Sequence, residues 1–219
     1  MRPGSRVLEI GTGWGELCLR AAARGATVRS ATPSSEQRDL ALRRAEDAGF
    51  GDLIDVELRD HRDVDGEYDA VVGIEMIEAV VLDVLVEYFR VIESVLAPGG
   101  RAAIQAILMD DERVRTTRNN YTWMNKYVFP GGRIPSISAI ERAFRGTDLR
   151  MRERRRFGVH YAETLRLWEE RFTAREDEVR ALGFDGIFVR IWRFYVQYSE
   201  AGFCPGYLDV AHLELEAPR

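Results

Sequence analysis

The feature that most constrains the fold is an apolar run that ends in a glycine-rich loop near the start of the chain. Residues 6–10 read R-V-L-E-I, residues 11–15 read G-T-G-W-G, and a helical pattern runs from Glu16 to Arg24 and ends at Gly25. A strand, a loop and a helix in this order let a nucleotide-like ligand contact bare backbone at a helix N-terminus. The pattern therefore predicts a cofactor-binding βα unit. A tight turn that only packs the helix on the strand is the alternative.

The spacing of the loop favours S-adenosylmethionine over a nicotinamide dinucleotide. Dinucleotide folds use G-x-G-x-x-G and place an acid about 20 residues further on, where it binds the ribose. This chain has G-x-G-x-G, and its second predicted strand, Thr27 to Thr32, ends in A-T-P-S without a carboxylate. A ribose at that strand end would bind hydroxyl and amide groups such as those of Thr32 and Gln37.

Strands alternate with helices along the next part of the chain. A capping box at Ser34 and Gln37 begins a helix that Gly49 ends. Further strands are predicted at 54–58, 68–74 and 101–107, and a helix at 83–96 stops at P-G-G. This order predicts an α/β fold with a doubly wound, mostly parallel sheet. A chain of 219 residues, 46% of them hydrophobic, is enough for one core, so we expect a single domain over 1–219.

The pattern changes after residue 107. Residues 108–135 have no clear periodicity but contain Tyr121, Trp123, Tyr127 and Phe129. We interpret them as an ordered insertion that lines a substrate cavity, and a hydrophobic plug over the sheet edge is the alternative. A short helix at 136–144, a strand at 149–155, helices at 161–182 and 185–203 and a last strand at 207–215 follow. The helix at 185–203 is apolar around much of its circumference, which indicates burial on several sides or a wall for an apolar ligand.

Composition excludes several classes of function. The formal net charge of −5 provides no basic field for nucleic acid. Cys18 and Cys204 do not make a disulfide framework, no ligand spacing predicts a metal site, and Cys18 is interpreted as core. Neither a signal peptide nor a run of about 20 apolar residues is present. Arg150, Arg152 and Arg154 alternate along one strand; an ordinary solvated face is favoured over a surface for anionic headgroups.

Seven motifs resemble the catalytic domain of the cyclopropane-fatty-acyl-phospholipid synthases, which include the mycolic acid cyclopropane synthases. The first motif is shared by many methyltransferases, and the later ones are more specific. The motifs occur in order across essentially the whole chain. They are V-L-E-I-G-T-G-W-G (7–15), S-x-E-Q (34–37), R-D-H-R-D (59–63), I-E-M-I-E-A-V (74–80), N-K-Y-V-F-P-G-G (125–132), F-G-V-H-Y-A-E-T-L (157–165) and E-A-G-F (200–203).

The resemblance implies methyl transfer from S-adenosylmethionine to the cis double bond of a lipid acyl chain. A bound bicarbonate ion then takes a proton from the new methyl group as the cyclopropane ring closes. Such chemistry needs a dry, apolar channel and a compact anion beside the methyl site. By position, Glu78 would accept the bicarbonate hydroxyl, and Tyr161 and the backbone N–H of Ile107 would donate to the anion. Gln105 stands where the family often has histidine.

The cofactor site follows from the glycine loop and the resemblance together. His61 stands where an aromatic side chain usually stacks near the adenine. Family members also carry a longer segment ahead of Arg6 that covers the cofactor and supplies a cysteine to the anion site. We therefore expect this chain to fold but to bind the cofactor weakly and to catalyse poorly. The predicted cofactor residues are Glu9, Gly11, Thr12, Gly13, Gly15, Thr32, Gln37, Asp60 and His61.

These observations predict a class I methyltransferase fold, Rossmann-like, in which residues 108–147 and 157–203 form an inserted lipid-binding cap. The expected product is a cyclopropane on an unsaturated phospholipid acyl chain. A methylene or methyl-branched chain is the alternative product, and an inactive, N-terminally truncated cofactor-binding module is the alternative of another class. We expect a cytoplasmic protein in peripheral contact with the inner face of the membrane, no nucleic-acid or metal ligand, and a chain that could form a homodimer.

Overall fold

One sheet organises the molecule. The computed structural model describes residues 2–79, 82–117 and 119–218. The strands are β1 (Arg6–Ile10), β2 (Thr27–Thr32), β3 (Ile54–Leu58), β4 (Tyr68–Ile74), β5 (Leu96–Met109), β6 (Arg150–Arg156) and β7 (Leu208–Glu216). Their order across the sheet is β3-β2-β1-β4-β5-β7-β6. The neighbours from β3 to β5 are parallel, and β7 is antiparallel to both β5 and β6. The predicted doubly wound, mostly parallel sheet is therefore confirmed.

Nine helices among the described residues pack on or beside the sheet. They are α1 (Glu16–Ala22), α2 (Ser35–Asp47), α3 (Leu82–Val95), α4 (Asp111–Thr117), α5 (Trp123–Tyr127), α6 (Ile137–Ala143), α7 (Gly158–Ala174), α8 (Glu176–Ala181) and α9 (Gly186–Phe203). The helix α2 begins at the predicted cap, because the backbone N–H of Gln37 donates to Oγ of Ser34 at 3.2 Å.

The core divides into three apolar clusters. One packs α1 and α2 on β1, β2 and β3, around Cys18 and Ala41. The largest packs α3 and α6 on β4, β5 and β7, around Phe89 and Ile140. The third joins α7 and α9 to β7, around Phe203. The helices α7 and α9 thus form a layer beside the C-terminal part of the sheet.

Three predicted elements differ from the structure. The fifth strand was predicted at 101–107, but β5 spans Leu96–Met109, since Leu96 pairs with Tyr68 and the register shifts before Ala70. The predicted helix at 161–182 begins earlier and leaves helical geometry at Arg175, where φ is −118° and ψ is 22°. Residues 108–135 contain α4 and α5, the second of which is fixed by a capping box between Thr122 and Asn125.

Candidate active site

The loop after β1 presents bare backbone at the C-terminal edge of the sheet. Gly11, Gly13 and Gly15 have positive φ angles of 85°, 52° and 86°. A Cβ at Gly11 would lie 2.2 Å from Sδ of Met76, and one at Gly15 would lie 3.0 Å from Cβ of Ala41, so packing requires these two glycines. No described atom lies within 4 Å of a Cβ built at Gly13. Gly13 is therefore the glycine whose missing side chain leaves room for a ligand.

A cavity of about 60 Å³ lies between this loop and the ends of β2 and β3. The carboxylate of Asp60 accepts hydrogen bonds from the backbone N–H and guanidinium of Arg62, which hold the pKa of Asp60 well below its usual range. Nδ1 of His61 lies 3.3 Å from Oδ1 of Asp60, and burial lowers the pKa of His61. Nε2 of His61 is buried without a partner among the described residues. The cavity is lined by Ile10, Gly11, Ala31, Pro33, Arg59, Asp60, His61 and Met76.

Three other predicted cofactor residues are buried in or next to the loop: Glu9, Thr12 and Thr32. Glu9 is 2% exposed, and Oγ of Ser30 donates to its Oε2 at 2.6 Å. Burial raises the pKa of Glu9 to about 7, and the Ser30 hydrogen bond opposes this only in part. The hydroxyl of Thr32 donates to Oε1 of Gln37 at 2.8 Å. Thr32 thus orients the partly exposed Gln37, which is the member of this pair that a ribose could reach.

A second polar cluster lies where β4 ends, beside the C-terminal part of β5. The phenol of Tyr161, on α7, donates to Oε1 of Glu75 at 2.6 Å. The amide Nε2 of Gln105 donates to the same oxygen at 2.8 Å. Nε2 of His212 lies 2.9 Å from Oε1 of Gln105, and His212 is the residue opposite Gln105 in the antiparallel pair of β5 and β7. A chain of hydrogen bonds therefore runs from β7 through β5 to the carboxylate of Glu75.

Glu78 lies three residues further on, in the 3₁₀ turn Ile77–Ala79. Its Oε1 accepts the backbone N–H of Ile107, and its Oε2 is buried without a partner among the described residues. Burial raises the pKa of Glu78 to about 7, and the nearby charge of Glu75 adds to this effect. Burial and the charge of Glu75 also raise the pKa of Tyr161, so its phenol keeps its proton and acts as a donor.

Met76 joins the two polar regions. Its side chain contacts the glycine loop at Gly11 and lines the cofactor cavity. Its neighbour Glu75 and the nearby Glu78 belong to the second cluster. The cavity and the two carboxylates therefore share the C-terminal edge of the sheet, where ligands of open α/β sheets bind.

Sequence reasoning missed two members of this cluster, Glu75 and His212. Glu75 was quoted as part of the motif 74–80 but was given no role. A signal existed, since it stands immediately after a buried parallel strand, at the edge where functional residues collect. His212 had a weaker signal, because its place opposite Gln105 depends on the register of β7, which periodicity does not fix.

Cys18 and the arginines of β6 have contacts that stabilise the fold. Cys18 is fully buried, its thiol donates to the carbonyl of Gly15 at 3.0 Å, and burial raises its pKa to about 11, which agrees with its interpretation as core. Arg152 and Arg154 pair with the carboxylates of Glu216 and Glu141. These ion pairs agree with the interpretation of this side of β6 as an ordinary solvent-exposed surface.

The aromatic residues of the insertion contact α9. The ring centroid of Trp123 lies 4.5 Å from that of Phe194, and the ring of Phe129 lies 5.9 Å from Tyr195. Phe129 remains 54% exposed. Tyr195 thus contacts the insertion and packs, like Tyr161, against the core cluster of α7, α9 and β7. Burial and the charge of Glu75 raise the pKa of Tyr195.

Comparison with known proteins identifies the family. The family model described as mycolic acid cyclopropane synthetase matches residues 1–213. This chain belongs to the mycolic acid cyclopropane synthetase family. It is 54% identical over 211 residues to the tuberculostearic acid methyltransferase UfaA1 of Mycobacterium tuberculosis, covering 96% of this chain and 49% of that protein. It is 32% identical over 204 residues to the cyclopropane-fatty-acyl-phospholipid synthase of Escherichia coli K12, and the match covers 93% of this chain and 51% of that protein. The chain thus spans about half the length of these curated relatives.

Solved structures of the family share the fold. The cyclopropane synthase MmaA2 of M. tuberculosis superposes with a TM-score of 0.88 at 24% identity, covering 99% of this chain and 79% of that one. The mycolic acid cyclopropane synthase CmaA1, complexed with SAH and CTAB, gives a TM-score of 0.89 at 22% identity, and the match covers 99% of this chain and 79% of that one. The predicted class I methyltransferase fold is confirmed by these matches. None of the helices among the described residues is long and apolar enough to span a membrane.

The two donors that the resemblance assigns to a bicarbonate ion, the phenol of Tyr161 and the N–H of Ile107, and the amide of Gln105, which stands where the family often has histidine, are bound to carboxylates of this chain. The phenol of Tyr161 and the amide of Gln105 donate to Glu75, and the N–H of Ile107 donates to Glu78. A bicarbonate ion held by the same donors would have to displace both carboxylates. The residues present therefore do not fit a bicarbonate ion in that role.

Proposed function

We propose that this chain transfers the methyl group of S-adenosylmethionine to the cis double bond of an unsaturated phospholipid acyl chain and forms a cyclopropane ring. One observation carries the proposal. In a member of the mycolic acid cyclopropane synthetase family, a cofactor cavity and a cluster of two carboxylates, a phenol and an amide share one edge of the sheet, with Met76 between them.

The cavity residues fit S-adenosylmethionine. Gly13 leaves space at the backbone where the methionine portion would lie. Asp60 and the unpartnered Nε2 of His61 provide an acceptor and a further polar atom for the adenosine, and Gln37 provides an amide for the ribose. The cofactor would supply a methyl group on a positively charged sulfur, which a carbon–carbon double bond can attack.

The side chains around the second cluster are suited to a reaction that generates positive charge on an acyl chain. Tyr161 packs against Phe203 with ring centroids 4.9 Å apart, and Tyr195 packs against Phe129. These rings form an apolar wall next to the carboxylates of Glu75 and Glu78. An apolar wall excludes water that would add to a carbocation, and a nearby carboxylate stabilises the cation.

A second product is supported by the relatives. The 54% identical protein is named as a tuberculostearic acid methyltransferase, whereas the relative named as a cyclopropane synthase is 32% identical. Methyl addition to the double bond begins both the ring-forming reaction and the one that leaves a methylene or methyl-branched chain. The second candidate is therefore the same methyl transfer without ring closure.

Two measurements test the proposal. Calorimetry should show S-adenosylmethionine binding to the chain, and Gly13→Val should abolish it because the new side chain fills the ligand space. The matched control is Gly49→Val, at a glycine that also has positive φ and open space but lies at the end of α2. Both variants carry similar backbone strain, so loss of binding in both would show misfolding rather than a cofactor site.

Lipid products separate the remaining candidates. The chain is incubated with S-adenosylmethionine and vesicles of phospholipid with oleoyl chains, and the fatty acids are analysed by gas chromatography with mass spectrometry. A cyclopropane fatty acid supports the proposal, and a methylene or methyl-branched acid supports the second candidate. Cofactor binding without any methylated lipid would instead indicate an inactive cofactor-binding module.

Contact with a membrane surface is part of the proposal. The far end of α7, α8 and α9 exposes apolar side chains, with Arg171 and Arg175 beside them in a groove of about 280 Å³. Exposed apolar groups flanked by arginine suit the headgroup region of a bilayer. Sedimentation with vesicles should show binding that Leu182→Ser weakens. The exposed apolar side chains there are Trp168, Leu182, Phe184 and Ile187.

A further inference from the structure

Glu75 has an unusual backbone conformation. Its φ is 54°, and among the described residues it is the one residue other than glycine with positive φ. A bulky side chain is seldom found in this region, because Cβ crowds the neighbouring carbonyl. The backbone N–H of Glu75 donates to the carbonyl of Gln105 at 2.9 Å, which fixes Glu75 beside the C-terminal part of β5. The fold thus holds this carboxylate at a position where glycine would be less strained.

The carboxylate occupies a site built for an anion. Its Oε1 accepts from both Tyr161 and Gln105, and Gln105 is itself fixed by His212. None of the described residues donates to the second oxygen, Oε2. A carboxylate and a bicarbonate ion both present two oxygens in one plane with a single negative charge. Glu75 therefore accepts from Tyr161, which the family resemblance assigned to a bicarbonate ion, and from Gln105, which stands where the family often has histidine.

Charge argues against a second anion at this place. Glu78 lies close enough to Glu75 for its pKa to be raised by that charge. A bicarbonate ion added here would be the third acidic group in a partly buried cluster whose described donors are neutral. The resemblance implies that the family often has histidine where this chain has Gln105, and an amide cannot carry a positive charge to offset the added anion.

We propose that the Glu75 carboxylate takes the place of the bicarbonate ion and accepts the proton that the methylated chain loses; this rests on the proposed function. The electron pair of the double bond forms the bond to the methyl carbon as the carbon–sulfur bond breaks and sulfur keeps its pair. Positive charge then lies on the adjacent chain carbon. A C–H bond of the new methyl breaks, its proton goes to Oε2 of Glu75, and its electron pair closes the ring.

The Glu75 carboxylate would also accept the proton in the reaction that gives a product without a ring. After a hydride shift between the two chain carbons, the electron pair of the broken C–H bond forms a carbon–carbon double bond to the former methyl carbon. Glu75 is neutral after either step and returns its proton to solvent before the next turnover. Tyr161 and Gln105 are positioning residues, since they hold the carboxylate and keep their own protons.

Bicarbonate binding tests the assignment without relying on activity. Carbon-13 bicarbonate is titrated with the wild-type chain and with Glu75→Gly, which suits the positive φ and frees the two donors. We expect no saturable line broadening with the wild type and saturable broadening with Glu75→Gly. The control is Glu67→Gly, an exposed glutamate before the start of the same strand, which should behave as wild type. Calorimetry with S-adenosylmethionine confirms that each variant is folded.

The second experiment measures methylation activity in buffer from which carbon dioxide has been removed. The wild type should methylate oleoyl phospholipid at a rate that added bicarbonate does not change. Glu75→Gly should be slower by roughly 100-fold or more, since 100-fold is the lower end of the contribution of a general base, and bicarbonate should restore part of the rate. The assignment is overturned if the wild type binds or requires bicarbonate, or if folded Glu75→Gly gains no bicarbonate binding. A wild type that binds cofactor but methylates no lipid contradicts the proposed function, while the titration still decides the place of Glu75.

Discussion

Glu9 makes the stability of the chain depend on pH in a direction opposite to that of most carboxylates. Its pKa is about 7 in the folded chain and 4.5 as an unperturbed group. Between these values the folded state keeps a proton that the unfolded state has released, so stability falls as pH rises and the loss is complete above about pH 7. The shift corresponds to about 2 to 3 kcal/mol between about pH 5 and pH 8.

Replacing Glu9 by glutamine should remove this dependence. The amide is neutral at every pH, and its carbonyl can still accept the hydrogen bond from Ser30. We expect Glu9→Gln to change stability little near pH 5 and to stabilise the chain by about 2 to 3 kcal/mol near pH 8. Urea unfolding of both proteins at the two pH values measures this difference. Taking the variant against wild type at each pH cancels the contribution of Glu78.

The control is Glu112→Gln, an exposed glutamate in the first turn of α4. Its effect should stay within about 0.5 kcal/mol at both pH values. A Glu9→Gln effect that is the same near pH 5 and near pH 8 would refute the reasoning, because it would mean that Glu9 ionises equally easily in the folded and unfolded chain.

Two further predictions concern packing and reactivity. In native protein, iodoacetamide should alkylate the exposed Cys204 and leave the buried Cys18 unmodified until urea is added, as peptide mass spectrometry can show; labelling of Cys18 at a comparable rate would contradict its burial. Gly73→Ala should destabilise the chain by more than about 1 kcal/mol, since its Cβ would lie 2.2 Å from the hydroxyl oxygen of Tyr88. The penalty should shrink in the Tyr88→Phe background, and an equal penalty in both backgrounds, measured by urea unfolding, would exclude this clash as the cause.

The first half of the fold could be predicted from the sequence because its signals are local. The bounds of β3 and β4 match the prediction, and the cap of α2 follows from the Ser34 hydroxyl alone. At β5, by contrast, pairing between strands overrides the local sequence pattern. The bulge between Tyr68 and Ala70 and the extension of β5 through P-G-G depend on pairing between strands.

The candidate site was predictable only in part for a similar reason. Glu78 and Tyr161 were selected by motif, and the structure places them in one cluster. The role of Glu75 depends on contacts with residues 30 and 86 positions away, Gln105 and Tyr161. Neither contact produces a periodic pattern in the sequence. The first depends on the strand register of β5, and the second depends on how α7 packs beside the sheet.

Several unfavourable features of the described residues lie at one edge of the sheet. Glu75 has a strained backbone, Glu9 and Glu78 are carboxyls that burial makes hard to ionise, and Nε2 of His61 is buried without a partner among the described residues. Each of these costs folding free energy, and the apolar clusters on either side of the sheet offset that cost. Strain and unpaired polar atoms persist in one place when they prepare a site for a ligand. Their position around the glycine loop and the ends of β4 and β5 therefore supports a reaction centre there, independently of the resemblance to any family.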